Sequence, residues 1–168
     1  NKQYRLLLIV IAIIFFITSI LFNSLKQPLA IIFVIPVSYI GVFLTFYWFK
    51  LNFDQGGFAS FVLLCGITVN ASIYILNEYN QIRERFPRMR PIRAYQKAWN
   101  AKITPIFLTV ISTILGFIPF MIGDEKEAFW FPLAAGTIGG LIMSVIGIYL
   151  YLPIFVLKRE KQKPACKA

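Results

Sequence analysis

The sequence predicts an all-α membrane protein, a bundle of five transmembrane helices, on three observations. The run Ala128 to Leu157 carries no charged side chain. A helix needs ~20 apolar residues to cross a ~30 Å hydrocarbon core, and this run exceeds that. Four further apolar segments of similar length precede it. The composition agrees: 58% hydrophobic, 14% charged and a mean hydropathy of +0.72. Soluble domains carry about 25% charged residues, and a soluble fold of 168 residues could not hide this much apolar surface.

The first span is expected over 6–22, Leu6 to Phe22. The second, 29–49, opens at Pro28, where a missing N–H costs little in a first helical turn. The third, 58–76, follows a turn at Gly56-Gly57. The fourth is 103–122. The fifth, about 130–155, has Pro132 and Pro153 near its ends. At 1.5 Å rise per residue each reaches across a bilayer. None shows the alternating pattern of ~10 residues that membrane barrels require.

The links sort by charge. One side holds Lys26, then Arg83, Arg85, Arg88, Arg90, Arg93, Lys97 and Lys102, then the basic tail 158–168. The other holds Lys2, Arg5, Lys50 and Lys126, with the acids Asp124, Glu125 and Glu127. Positive charge collects on the cytoplasmic side, so the N-terminus is expected outside and the C-terminus inside. The net charge of +10 is thereby a matter of topology, and no nucleic-acid partner is expected. Between the third and fourth spans, Pro87 and Pro91 break the chain, and Ile92, Tyr95 and Trp99 recur on one helical face. That pattern predicts a separate interfacial helix over about 91–101, with Tyr and Trp at headgroup level.

Histidine is absent, and the two cysteines, Cys65 in a span and Cys166 in the tail, are far apart. No disulfide framework, metal cluster, cofactor or nucleophile–base pair is expected, which excludes the usual enzyme classes. The chain begins at Asn1, not Met, with an apolar run that continues into further spans, so it reads as a piece of a longer polypeptide or as a processed product.

Polar residues inside the spans are the functional candidates. Gly66, Asn70 and Asn77 fall within ~40° of one another on the third helix. Thr109, Ser112, Thr113 and Gly116 form a stripe on the fourth. Two readings fit: the stripes face a polar interior and take part in ion passage, or they bond helices together. Glu78, at the basic end of the third span, is either a buried acid or a group at the water boundary. Gly136, Gly140 and Ser144 make a small-xxx-small stripe for close helix packing. Gly116 with Pro119, and Pro36 with Gly41, read as kink or close-contact points.

Four segments in register resemble the resistance–nodulation–division transporters: PLAIIFVIPVSYIG (Pro28 to Gly41), GITVNASIYI (Gly66 to Ile75), PIFLTVISTILGFIP (Pro105 to Pro119), and FPLAAGTIGGLIMS (Phe131 to Ser144) followed by Pro153. The resemblance implies the C-terminal five helices of the second transmembrane half of such an exporter, in a bacterial inner membrane. It implies a first half and large periplasmic domains elsewhere in the polypeptide. It also implies proton-driven or occasionally sodium-driven export, commonly as a homotrimer, with a periplasmic adaptor and an outer-membrane channel as partners. By resemblance, Thr109 matches a relay threonine, and Asn70 stands where drug exporters usually carry a lysine. Thr104 stands where the family often has arginine. Asn70, Thr109, Asn77 and Thr113 are thus the ion-relay candidates, and Gly66, Gly116, Gly136, Gly140 and Ser144 the packing candidates. The alternatives are an RND-like protein- or lipid-export component, or a membrane scaffold.

Overall fold

The structure, a computed structural model, describes residues 2–23, 26–122 and 129–160, with side chains over 5–23, 27–122 and 129–154. The acidic link 123–127 and residues 161–168 of the basic tail lie outside the described residues. Five helices follow in order: α1 (Lys2–Phe22), α2 (Lys26–Phe49), α3 (Gln55–Arg85), α4 (Pro91–Ile122) and α5 (Trp130–Glu160). All five are long and apolar enough to cross a membrane.

Local chemistry sets the helix ends. Asn23, with φ 44, ends α1 in the left-handed conformation that asparagine tolerates. Asp54 caps α3, its carboxylate accepting the N–H of Gly56 at 3.0 Å and of Gly57 at 3.4 Å. Gly56-Gly57 is therefore the first turn of α3 and not the turn before it. Both glycines are buried, and a Cβ on Gly56 would press on the Phe129 carbonyl oxygen. Phe86 closes α3 with an N–H bond to Ile82 at 2.9 Å. Arg83 braces the short link by donating to the carbonyls of Met89 (2.6 Å) and Pro87 (3.3 Å), and Lys97 sits 4.8 Å over the Phe86 ring.

The bundle is assembled on α5, which packs against α2, α3 and α4, while α1 sits at the edge on α2 and α3. Lipid gives no hydrophobic drive between helices, so close backbone approach has to supply the packing. Alternate sides of α5 serve alternate neighbours. Gly136 and Gly140 receive Ser60 and Leu64 of α3. Gly139 meets Thr45 and the Gly41 carbonyl of α2, and Gly147 meets Val37. Ile31, Ile35, Leu64, Leu141, Ile148 and Leu152 are fully buried between them.

A separate interfacial helix over 91–101 is not what forms. Residues 91–101 are the first turns of one continuous α4 that begins with Pro91 and passes through Pro105. Of the periodic face, Ile92 is exposed, but Tyr95 and Trp99 are buried, with Ala94 and Ala98, in the core that holds Tyr79 and Ile82 of α3 and Leu152 of α5. The Tyr95 hydroxyl donates to the Ile148 carbonyl at 2.7 Å. A helical stripe cannot distinguish headgroups from a neighbouring helix, and here α3 and α5 run long enough to supply the neighbour. With 31 residues each, they span about 47 Å, well beyond a ~30 Å core.

Candidate functional site: the outer face of α3 and α4

Helices α3 and α4 run antiparallel and are clasped by an ion pair, Lys102 Nζ to Glu78 Oε2 at 3.2 Å. Glu78 is thus neither isolated nor fully buried, since both side chains keep partial access to solvent. From this clasp the helical rise fixes relative depth. Asn70 stands two turns before Glu78 and Thr109 two turns after Lys102, about 11 Å along each helix. Asn70 and Thr109 therefore lie at one level of the bundle. Thr109 and Thr113 fall within ~20° of Lys102 on the helical wheel, so they continue the edge of α4 that meets α3.

Both stripes face away from the core of this chain. Gly66, Asn70 and Asn77 are exposed on α3, as are Thr109, Ser112 and Gly116 on α4, with Thr113 half-buried. Among the described residues, no atom lies within 4 Å of a Cβ built on Gly66 or Gly116. As packing points these two differ from Gly136 and Gly140, which meet α3, and from Ser144, which is buried on α5. The reason is their position: Gly66 and Gly116 lie on faces that none of the described helices covers.

The hydrogen bonding divides the candidates by chemistry. Thr109 donates its hydroxyl to the carbonyls of Pro105 (2.7 Å) and Ile106 (2.8 Å), and Thr113 donates to the Thr109 backbone carbonyl at 2.8 Å. Their protons are held within α4, leaving the oxygens as outward acceptors. The amides of Asn70 and Asn77 have no hydrogen-bond partner among the described residues, so each offers both a donor and an acceptor. Ser144, by contrast, bonds back to Leu141 at 2.8 Å inside the bundle.

Burial agrees. In the most apolar stretch of each helix, 61% of α5 is buried but only 11% of α4 and 6% of α1. Among the described residues no cluster of His, Cys, Asp and Glu could hold a metal ion. The outer α3–α4 face therefore has polar partners to offer but no acid at its centre.

The sequence profile of the AcrB/AcrD/AcrF family matches residues 1–159. The chain belongs to that family. It is a segment of a resistance–nodulation–division permease, and the family is one of transporters, not enzymes. The relatives it resembles include multidrug resistance protein MdtC from Pectobacterium carotovorum, 26% identical over 163 residues, covering 96% of this chain and 16% of the relative. MdtC from Citrobacter koseri is 27% identical over 158 residues, covering 94% of this chain and 15% of the relative. MdtC from Escherichia coli is 25% identical over 158 residues, with the same coverage. The chain thus spans about 16% of the length of relatives named for multidrug resistance.

Sequence reasoning overlooked three contacts that fix the RND segment's geometry. They are the Glu78–Lys102 clasp, the Tyr95–Ile148 bond, and a paired amide contact between Gln27 and Asn80. Each joins residues on different helices. The one signal available was the depth match of Glu78 and Lys102 at the basic ends of two adjacent spans.

Proposed function

We propose that the chain forms the C-terminal five helices of the second transmembrane half of an RND exporter in a bacterial inner membrane. In this reading its outer α3–α4 face packs against the first half of the same polypeptide. Proton movement, or cation movement in some branches, drives export of small molecules bound by domains outside the membrane. The N-terminus is periplasmic and the C-terminus cytoplasmic. The assembly is a homotrimer that works with a periplasmic adaptor and an outer-membrane channel.

One observation carries the reading: on membrane-length helices, the Asn70 and Asn77 amides are exposed without a partner among the described residues, and the Thr109 hydroxyl oxygen is exposed on the adjacent α4. An amide left without a partner in hydrocarbon costs several kcal/mol. Such a face is stable only when covered by groups that bond to it, and an ionisable acid on the covering helices meets that need. While charged, the acid accepts from the Asn70 amide N–H. Once protonated, it donates to the Thr109 oxygen. Neutralising a buried charge exchanges one bonding pattern for the other and shifts the packing of α3 against its partner between discrete states. Asn70, Asn77, Thr109 and Thr113 act as uncharged partners of that acid, since asparagine and threonine do not titrate in the working range.

The test is export by the longer protein that carries this sequence. Asn70→Ala and Thr109→Ala should each reduce cation-coupled export while membrane abundance stays at the parental level. Parental export from both variants would overturn the relay assignment.

A further inference from the structure

At the end of α2 the chain turns on a lysine. Lys50 has φ 50, the left-handed conformation that glycine usually takes just past a helix. Its N–H bonds to the Tyr47 carbonyl at 3.3 Å, and the Leu51 N–H bonds to the Phe46 carbonyl at 3.0 Å. These are the two bonds of a Schellman cap. Glycine would close this cap without steric cost, so the lysine brings a local strain together with a long cationic side chain.

That side chain borders a groove of ≈ 920 Å³, whose lining includes Phe43, Phe46, Tyr47, Trp48 and Phe53. Lys50 is the one charged residue in its described lining. The floor is built from ring contacts, Phe43 to Phe53 at 5.7 Å and Phe46 to Phe53 at 5.3 Å. Tyr47 and Trp48 are 85% and 80% exposed. Asp54, the nearest acid in sequence, holds the Gly56 and Gly57 N–H groups, and no ion pair joins it to Lys50 among the described residues.

We propose that this groove binds one anionic phospholipid, its acyl chain against the phenylalanine floor and its phosphate on the Lys50 ammonium. The groove sits where an apolar helix ends, at the bilayer–water boundary. Tyr and Trp favour headgroup level there, and an ammonium meets lipid phosphates. Its size matches sites of ~300–1,000 Å³ that hold small ligands. An uncharged amphiphile would give the lysine no partner, and an acidic peptide would give the aromatic floor none. One lysine near an anionic headgroup is expected to favour it about fivefold. The inference is independent of the export reading.

The experiment uses the longer protein in nanodiscs containing phosphatidylglycerol or phosphatidylcholine with a diazirine at mid-chain. Photolabelling of residues 43–53 is read by peptide mass spectrometry. Phosphatidylglycerol should label that peptide about fivefold more than phosphatidylcholine does. Lys50→Arg should keep the preference. Lys50→Gly, which the backbone conformation favours and which therefore preserves the fold, should equalise the two lipids. Equal labelling by both lipids in the parent protein overturns the proposal. So does labelling by neither, the result expected if another segment of the protein covers the groove.

Discussion

The side-chain amides of Gln27 and Asn80 exchange two hydrogen bonds. Gln27 Nε2 donates to Asn80 Oδ1 at 3.0 Å, and Asn80 Nδ2 donates to Gln27 Oε1 at 3.1 Å. The pair locks the first turn of α2 to the last turns of α3, with Gln27 buried and Asn80 half-buried. Each amide uses one donor and one acceptor on the other, so removing Asn80 leaves the buried Gln27 amide unpaired, and removing Gln27 leaves the half-buried Asn80 amide unpaired.

Asn80→Leu should therefore destabilise the longer protein by about 1–3 kcal/mol. Gln27→Leu should cost a similar amount, and the double variant less than the sum of the two. Thermal melting of the detergent-solubilised protein in a double-mutant cycle checks this. Additive losses would mean that the amides do not support each other.

Tyr95→Phe removes the hydroxyl that reaches the Ile148 carbonyl and leaves the buried ring in place. The expected loss is about 1 kcal/mol. Tyr149, whose ring stands 5.0 Å from that of Trp99 but is itself exposed, provides the control. Tyr149→Phe should leave the melting temperature within error of the parent.

Gly41→Ala and Gly116→Ala separate packing in this chain from packing elsewhere. A Cβ on Gly41 would strike the Gly139 carbonyl oxygen, a backbone atom that cannot step aside without moving α5. Gly41→Ala should lower both membrane abundance and melting temperature. Gly116→Ala meets nothing within 4 Å among the described residues. If it lowers abundance equally, the outer face of α4 is tightly covered in the longer protein. Parental abundance means looser cover.

Glu78→Gln tests the clasp. The pair is partly exposed, and pairs of this kind contribute roughly 0–1 kcal/mol. Stability should change little, and the combined exchange Glu78→Lys with Lys102→Glu should melt like the parent. Loss of export from Glu78→Gln at parental abundance would instead make Glu78 a member of the relay.

Much of this protein was legible in its sequence. The uncharged run Ala128 to Leu157 leaves hydrocarbon as its natural environment, and a chain in hydrocarbon has to satisfy its backbone internally, which makes it helical. The family entered through the resemblance of four segments in register, while helix number and the polar character of the Asn70 and Thr109 stripes follow from residue type and spacing. So does the small-residue face of α5, because Gly136 and Gly140 fall on one side at helical period.

Other features were decided only by the tertiary structure. Periodicity places Tyr95 and Trp99 on one face but does not say what covers it, and here a neighbouring helix does: α5 accepts the Tyr95 hydroxyl at the Ile148 carbonyl. Spacing likewise aligned Gly66 with Asn70, yet only the packing shows that nothing among the described residues stands against Gly66. The pairing of Gln27 with Asn80 left no trace in the local pattern. A helix's sequence fixes the direction of each side chain about its own axis. What each side chain meets depends on where the other helices stand, and that is a property of the assembled bundle.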